Sequence, residues 1–371
     1  MANQRFTALD VFRGMTVCFM IIVNTPGNGI TTFSPLLHAS WHGFTPTDLV
    51  FPSFLFAVGN ALSFVMPKWS QLPASKVVFK ILKRTFIIFL LGYLMYWFPF
   101  VKQVAGQWVV APFSQTRVFG VLQRIALCYG IAALLLYFVK PKATIIICVS
   151  LMLLYWIILL AYGEGDPFSM QGNAGLFLDK WLLGADHLYH GEGVAFDPEG
   201  LLSTLPAISN VVGGFVVGSY IQKQGKTYEG LAKLLLAGAT LMFIAWSWNF
   251  FLPVNKKLWT GSFVLLTIGL DCIIISAIVY IIDFKHQEKW TYFFVVFGRN
   301  PLFIYLLSEL GVTLLYVFSV RPKMPVYKWL YESIFAHAGG YLGSFLFAVS
   351  VMMICWLTGF FMDKKKIYVR V

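Results

Sequence analysis

The sequence predicts an all-α polytopic membrane protein, and three observations lead to this fold class. The chain of 371 residues is 58% hydrophobic and only 12% charged, whereas a soluble domain carries about 25% charged residues. Its mean hydropathy is +0.75. Apolar segments of about 20 residues, the length that a helix needs to cross a bilayer, recur along the whole chain.

Ten of these segments are predicted to be transmembrane helices, and together they form one predicted domain over residues 1–371. An even number of spans places both termini on the same side of the membrane. Three longer connections, near residues 26–47, 163–200 and 321–341, are predicted to lie on the external side. The predicted spans are residues 8–25, 47–66, 77–99, 118–139, 143–162, 201–221, 230–252, 259–282, 296–319 and 342–361.

The charged residues predict the orientation of the bundle. The net charge is +12, from 28 Lys and Arg residues against 16 Asp and Glu residues. Most of the cations, Arg5 and Arg370 among them, fall on the side that carries both termini. Cations concentrate in cytoplasmic connections, so this pattern predicts cytoplasmic termini. In a protein that sits in a lipid bilayer, this bias also accounts for the excess of Lys and Arg over Asp and Glu. We therefore predict no nucleic-acid partner.

No metal site and no disulfide are predicted. The five cysteines all lie in apolar segments and none forms a CxxC pair. His38 and His42 are four residues apart and could share a helical face, but zinc would need a third protein ligand. Asp48 is the one nearby candidate for that ligand, and we do not expect the three to form a metal site. The cysteines are therefore interpreted as small core residues.

The connection between the first two predicted spans is the candidate functional site. His38 has the one side chain whose unperturbed pKa, about 6.5, suits proton transfer near neutrality, so it could act as a general base or a nucleophile. The amide of Asn24 could hold an oxyanion, and Asp48 could orient His38. Each residue also has a purely structural interpretation: an interfacial histidine, a helix C-cap and a first-turn acid.

Charged residues inside the predicted spans indicate a polar interior route. Asp10 and Arg13, three residues apart, are predicted to pair on one helical face. Arg124 needs an internal partner. The sequence Arg299–Asn300–Pro301 interrupts an apolar segment and predicts a broken helix, which is tolerated where it lines a cavity. These features do not by themselves separate a transporter from an enzyme.

Six segments resemble the catalytic core of the heparan-alpha-glucosaminide N-acetyltransferase family, and in particular its bacterial NagX-like (DUF5009) relatives. They are LDVFRGMTV at 9–17, IIVNTPG at 21–27, LHASWHGFTPTDLVFPSFLFAVG at 37–59, GVLQRIALCY at 120–129, FDPEGLLSTLPAI at 196–208 and PVNKKLWTGSFVLLT at 253–267. The ordered matches extend from near residue 6 to near residue 310, which makes them more specific than a short motif.

The resemblance implies a transmembrane acyltransferase fold in a bacterial inner membrane. It implies transfer of acetyl from cytosolic acetyl-CoA to the amine of a glucosamine-like sugar on the extracytoplasmic side. Relatives also imply a possible homodimer. The residues it implies are His38, Asn24 and Asp48 for catalysis, Arg13, Lys83, Arg84 and Arg124 for the CoA phosphates, and Trp41, His42, Asp197 and Glu199 for the acceptor sugar.

Under this hypothesis His38 deprotonates the acceptor amine, Asn24 donates to the oxyanion and Asp48 fixes the histidine tautomer. A variant in which His38 is itself acetylated stays open at this point. So do the interpretation of the cations as topology signals alone and that of the 163–200 connection as a solvated loop. Two other functions fit the same spans: a permease for amino sugars or chito-oligosaccharides, and an O-acyltransferase of an envelope polysaccharide.

Overall fold

The computed structural model describes residues 6–104, 107–224 and 226–369. Arg5 and Arg370, which entered the orientation argument, lie outside these ranges. The helices are α1 (Thr7–Asn24), α2 (Pro46–Trp69), α3 (Ala74–Trp97), α4 (Val121–Phe138), α5 (Pro141–Tyr162), α6 (Ala174–Leu183), α7 (Thr204–Gln224), α8 (Tyr228–Trp248), α9 (Gly261–Val279), α10 (Thr291–Arg299), α11 (Pro301–Val317), α12 (Val326–Leu330) and α13 (Gly340–Lys364).

The all-α prediction is confirmed, and each of the ten predicted spans corresponds to a helix or a bent helix pair. Within the described ranges, eight helices are long and apolar enough to cross a membrane, or nine if the bent pair α10 and α11 is one span. The remaining segment, α3, has 24 residues, but Lys80, Lys83 and Arg84 interrupt its apolar character. The prediction of ten spans is therefore not confirmed for α3.

The predicted broken helix is present. α10 ends at Arg299, α11 begins at Pro301, and the two helices are bent by 82°. Proline cannot donate a backbone hydrogen bond and clashes with the preceding turn, so Pro301 begins a new helix. Asn300, between the two helices, donates from Nδ2 to the Ile367 carbonyl at 3.0 Å, while its Oδ1 accepts from the Val369 N–H at 2.8 Å.

Small residues set the closest helix packing in the bundle. α2 packs most extensively on α7. A Cβ added at Gly59 would lie 1.8 Å from the Val211 carbonyl oxygen, and one at Gly214 would lie 1.9 Å from the Phe56 carbonyl oxygen. Close approach of helix backbones through small residues is how membrane helices gain packing contacts.

Side-chain contacts identify two ends of the bundle. At the N-terminal end, Lys226 lies 5.6 Å from the Phe6 ring centroid and 3.3 Å from Asp283 Oδ1. At the opposite end, which we call the loop end, the Gly43 N–H donates to the Val254 carbonyl at 2.8 Å. The loop end therefore gathers the connections from α1 to α2 and from α8 to α9.

Short elements that the sequence did not predict lie in the connections. Two antiparallel strands, β1 (Val101–Val104) and β2 (Gln107–Val110), form a hairpin, and β3 (Ser319–Arg321) pairs with β4 (Met324–Pro325). The 163–200 connection contains α6. The remaining short turns are 3-10 helices at Ser34–Leu36, Phe113–Gln115, Ala185–His187 and Ala336–Ala338, and π-helices at Tyr280–Phe284 and Tyr331–Phe335.

The predicted roles of two groups of side chains are confirmed. All five cysteines are free and buried, as expected for small core residues. The Arg13 guanidinium contacts Asp10 Oδ1 at 2.9 Å, which is the pair that the three-residue spacing predicted.

Candidate active site

His38 and Asp48 meet at the loop end. His38 Nδ1 lies 2.7 Å from Asp48 Oδ1. The carboxylate is fixed by backbone donors, because its Oδ2 accepts from the Thr45 N–H at 3.0 Å and from the Ala39 N–H at 3.1 Å. Asp48 is the third residue of α2, and its reach back to Thr45 is half of a capping box. The start of α2 thus places Asp48 against the histidine.

This contact determines which ring nitrogen of His38 is available. An ionised carboxylate only accepts hydrogen bonds, so Nδ1 carries the proton and donates it to Asp48. Nε2 is then left with a lone pair. The His38 side chain is 42% exposed while the Asp48 side chain is 1% exposed. The imidazole is therefore accessible, and the carboxylate that holds it is buried.

Lys256 is a third member of this group, and the sequence analysis missed it. Its Nζ lies 3.2 Å from His38 Nε2, 3.0 Å from His38 Nδ1 and 3.9 Å from Asp48 Oδ1. Lys256 therefore contacts both ring nitrogens, and of the two only Nε2, which keeps its lone pair, can take a proton from the ammonium. Its side chain is 17% exposed. Burial lowers the pKa of Lys256, although the charges of Asp48 and Glu199 act in the opposite direction.

A structured loop holds Lys256 in this position. The Asn255 N–H donates to Thr260 Oγ1 at 3.1 Å, and Asn255 Oδ1 accepts from the Leu258 N–H at 2.8 Å. One sequence signal could have identified the lysine. Lys256 and Lys257 lie in a short external connection of the predicted topology, where the positive-inside rule does not explain a pair of cations.

The two predicted acceptor residues next to His38 have other anchors. Trp41 donates from Nε1 to the Phe168 carbonyl at 2.8 Å and packs on the Phe196 ring at 5.6 Å. His42 Nδ1 lies 3.3 Å from Asn255 Nδ2. Burial lowers the pKa of His42, opposed by the charge of Asp166. Both residues therefore lie in the same loop as His38, with their side chains anchored on Phe168 and Asn255.

The predicted acceptor residues Asp197 and Glu199 are both bound by Arg117, another residue that the sequence analysis missed. The guanidinium is bidentate on Asp197, at 2.9 and 2.7 Å, and contacts Glu199 Oε2 at 2.5 Å. It also lies 4.9 Å from the Tyr96 ring and 4.7 Å from the Tyr189 ring. One guanidinium thus holds both acids in fixed positions.

Glu199 is electrostatically linked to the His38 group. Burial acts to raise its pKa, but the charges of Arg117, Arg124 and Lys256 outweigh burial and keep the pKa below its ordinary value. Glu199 is therefore an ionised carboxylate near Lys256. This interaction connects the Arg117 group with the His38 group.

Arg124, predicted to contact CoA, occupies a different place. It is fully buried, donates to the Gly200 carbonyl at 2.9 Å and to the Ser203 hydroxyl, and lies 4.9 Å from the Trp259 ring. These are the internal partners that its position in a span required. They lie beside the Asp197–Glu199 turn, and Arg124 thus braces that turn.

A cavity of about 360 Å³ extends through the bundle from the N-terminal end. Its volume falls within the range of small-molecule sites, about 300–1,000 Å³. Along α2 its wall runs from Trp69 to Phe54, a length of about 22 Å at 1.5 Å per residue. The wall is mostly apolar, with residues of α1, α2, α3, α4 and α11.

Three arginines line this cavity: Arg13, Arg84 and Arg299. Arg13 and Arg84 were predicted as CoA contacts, whereas Arg299 was noted only for the helix break. Arg299 also pairs with Asp363. The predicted contact Lys83 is exposed on α3 and is not part of the cavity wall. Arginine suits this position because its planar fork binds phosphate in a bidentate manner.

The far end of the cavity approaches the loop-end groups. Val121 and Tyr305 belong to its wall. The Val121 N–H donates to the Tyr96 hydroxyl at 3.4 Å, and Arg117 donates to the same hydroxyl at 3.4 Å. The Tyr96 side chain therefore joins the cavity wall to the residues that hold Asp197 and Glu199.

Asn24 lies near this end of the cavity. Its Nδ2 donates to Glu309 Oε1 at 3.2 Å, and Glu309 is one helical turn beyond Tyr305. Across the described ranges no hydrogen bond joins Asn24 to His38. The structure therefore pairs His38 with Asp48 and Lys256, and pairs Asn24 with Glu309. A primary amide has two N–H donors, so the second remains for a ligand.

The residues described contain no group of three or more His, Cys, Asp and Glu side chains that could hold a metal ion. His42, the possible partner of His38, is turned toward Asn255. The absence of a metal in the mechanism stays a prediction.

Comparison with known proteins yields one family. Residues 5–172 match the family model described as "Heparan-alpha-glucosaminide N-acetyltransferase, catalytic". Heparan-alpha-glucosaminide N-acetyltransferase from Homo sapiens is 29% identical over 371 residues, which cover 82% of this chain and 53% of the human protein. The Mus musculus protein of the same name is 29% identical over 365 residues, with the same coverage. The chain spans about half the length of these relatives.

Proposed function

Since residues 5–172 match the family model of the heparan-alpha-glucosaminide N-acetyltransferase catalytic region, we propose that the chain is a member of this family and a transmembrane acetyltransferase. It transfers acetyl from acetyl-CoA to the amine of a glucosamine-like sugar. The observation that carries this proposal is the pairing of His38 with Asp48 at 2.7 Å at the loop end, together with an arginine-lined cavity that enters from the opposite end.

The arginines of the cavity support acetyl-CoA as the donor. Arg13, Arg84 and Arg299 offer three cations to the phosphates, and hydrogen bonds between charged groups are about twice as strong as neutral ones. The apolar remainder of the wall suits the pantetheine arm. In this arrangement the thioester travels toward Tyr305 and Val121 while the phosphates stay at the N-terminal end.

His38 performs the proton transfer. Nε2 accepts a proton from the acceptor ammonium, and Asp48 stabilises the resulting imidazolium through Nδ1–H. The free amine attacks the thioester carbon, and the tetrahedral oxyanion accepts a hydrogen bond from the second N–H of Asn24. Collapse breaks the C–S bond, the CoA thiolate takes the proton from His38, and the acylated nitrogen loses its second proton to solvent through the emptied Nε2. General-base help is worth about 10²–10⁴ in rate.

The acceptor sugar binds among the loops around His38. Trp41 supplies an aromatic face, and its indole N–H is held by Phe168. Glu199 accepts a hydrogen bond from a sugar hydroxyl at Oε1, the oxygen that Arg117 leaves free, whereas Asp197 has both oxygens on Arg117 and fixes the loop. Because Arg117 fixes these acids in place, we assign them to the hydroxyl side of the sugar, and the ammonium group is left for His38.

The two ends of the bundle give the reaction a direction. The donor enters at the N-terminal end and the acceptor at the loop end. We propose that the N-terminal end faces the cytoplasm of a bacterium, where acetyl-CoA is made, because the cations concentrate there. Both termini are then cytoplasmic and the sugar is acetylated outside the inner membrane.

Reconstituted vesicles test this function. Protein is inserted into liposomes, labelled acetyl-CoA is placed on one side and glucosamine on the other. We expect label in the sugar, lost in His38→Ala protein and retained in Asp186→Asn, an exposed loop variant. Matched sugars with a hydroxyl in place of the amine should stay unlabelled, and labelling of those sugars would instead indicate an O-acyltransferase.

A permease is the second candidate, because the 82° bend between α10 and α11 lines the cavity as broken helices do in transporters. Uptake of labelled glucosamine into vesicles that contain no CoA would favour the permease. Failure of acetyl transfer together with such uptake would overturn the proposed acetyltransferase function.

A further inference from the structure

We propose that Lys256 is a self-acetylation site: when no acceptor sugar is bound, its amine takes the acceptor's place at His38 and is acetylated by acetyl-CoA. This inference rests on the proposed function. The inference goes beyond that function because a covalent modification is assigned to one residue of the protein itself.

The distance between Lys256 and His38 is the first argument. Its Nζ lies 3.2 Å from His38 Nε2, within the range of about 2.6–3.2 Å over which a general base reaches the proton that it removes. An acceptor sugar must bring its own nitrogen to the same lone pair. Lys256 therefore occupies the acceptor position with the same functional group, a primary amine.

The surroundings of Lys256 favour its nucleophilic form. The side chain is largely buried, and burial lowers the pKa of its ammonium group. The distance to the nearest carboxylate oxygen, Asp48 Oδ1, is 3.9 Å, longer than a hydrogen bond. The ammonium is therefore close to a base without a short ion pair that would hold its proton.

The neighbouring Lys257 provides a contrast. Its Nζ donates to Glu192 Oε2 at 2.6 Å and to the Ser40 carbonyl at 2.9 Å. The contacts of Lys257 are thus with an acid and a carbonyl, not with the imidazole. The two lysines share solvent access from one loop, yet only Lys256 lies beside the base.

The chemistry balances without a further reactant. The Lys256 ammonium gives a proton to His38 Nε2, and the amine attacks the thioester carbon. A C–N bond forms, the C–S bond breaks, and the CoA thiolate takes the proton from the imidazolium. The acylated nitrogen then gives its second proton to the emptied Nε2, which releases it to solvent. The products are CoA and Nε-acetyl-Lys256. The amide is stable, so this product is a blocked enzyme that has lost the cation between Asp48 and Glu199.

Labelling without acceptor tests the proposal. The purified full chain is incubated with isotope-labelled acetyl-CoA, and peptides that span residues 254–260 are sequenced by mass spectrometry. We expect label on Lys256, no label on Lys257, and suppression by saturating glucosamine. His38→Ala should lower the rate of Lys256 labelling by about 10²–10⁴, and Lys257→Arg should leave Lys256 labelled. Hydroxylamine removes an acetyl-imidazole but not an acetyl-lysine.

The outcomes separate this inference from the proposed function. Acetylated glucosamine with unlabelled Lys256 overturns self-acetylation and leaves the enzyme standing. Equal label on Lys256 and Lys257 indicates unassisted chemical acetylation and also overturns it. Absence of label from both sugar and protein overturns the acetyltransferase itself.

Discussion

At the residue scale, the position of His38 depends on one carboxylate. Asp48 lies in the first turn of α2, where its Oδ2 accepts from the backbone N–H groups of Ala39 and Thr45. Its Oδ1 is then left for the imidazole. A helix start thus serves two purposes, since the same side chain closes the first turn and selects the histidine tautomer.

Replacing Asp48 separates these two effects. Asp48→Asn offers an amide that can donate to Nδ1, which favours the tautomer with the proton on Nε2. We expect kcat for acetyl transfer to fall by about 10²–10⁴ and stability to fall by about 1 kcal/mol through the weaker cap. Steady-state kinetics and thermal unfolding measure the two changes. Asp186→Asn is the matched change of charge, and an equal loss in that variant would refute the assignment.

Asp179 should make stability depend on pH. It is buried in α6, where its Oδ1 accepts from the Leu201 N–H at 3.0 Å. Burial raises its pKa from 3.8 to about 7. The native state therefore holds this proton more tightly than the unfolded chain does, so the stabilisation is complete below about pH 4 and is lost as pH rises through about 7.

Asp179→Asn removes this dependence, because an amide is neutral throughout and its oxygen still accepts from Leu201. In detergent, the melting temperature of the wild type should fall relative to Asp179→Asn as pH rises from about 5 to about 8. Parallel melting curves for the two proteins across that range would contradict the buried proton.

At the scale of elements, the contact between α2 and α7 depends on the absence of side chains. Gly59 and Gly214 let each helix backbone lie against the other, as the distances to Val211 and Phe56 show. Because α2 carries Asp48 at its first turn and also lines the cavity, this contact positions both parts of the site.

Gly59→Ala should therefore destabilise the bundle. Its methyl group would meet a backbone carbonyl, and overpacking of this kind typically costs about 1–3 kcal/mol. Gly311→Ala in α11 is the control, since nothing lies within 4 Å of the added carbon and Ala favours a helix by about 1 kcal/mol over Gly. Thermal unfolding should show opposite shifts, and similar shifts would exclude the close packing.

At the scale of the whole molecule, the proposed function assigns the donor and the acceptor to opposite ends of the bundle. The arginine-lined cavity enters at the N-terminal end, and the His38 group faces the loop end. Within the described ranges, Tyr96 joins the cavity wall at Val121 to Arg117 at the loop end. Substitutions at either end should therefore affect one substrate at a time.

Arg84 and Lys83 test this separation, because they are adjacent on α3 and only Arg84 lines the cavity. A hydrogen bond between charged groups is worth about 1.5–3 kcal/mol. Arg84→Ala should raise KM for acetyl-CoA by at least about tenfold and leave KM for the sugar unchanged. Lys83→Ala should leave both within about twofold. Equal effects on acetyl-CoA would mean that the α3 cations act through general charge.

The sequence alone determined the fold class and the composition of the connection between α1 and α2 that carries His38. Long apolar segments have few alternatives to membrane helices, and His38 and Asp48 are close enough in the chain for one helix start to join them. It also predicted the break at Asn300, because proline acts locally. The bacterial NagX-like subgroup and the homodimer stay predictions.

The tertiary structure decided which distant charges meet. Lys256 reaches His38 from a loop more than 200 residues away, Arg117 holds Asp197 and Glu199, and Arg299 joins the cavity while Lys83 does not. Spacing along a chain fixes contacts only within a helix or a turn. Contacts between helices depend on which helix faces pack together. Here glycines determine those faces, as where Gly59 of α2 packs against α7.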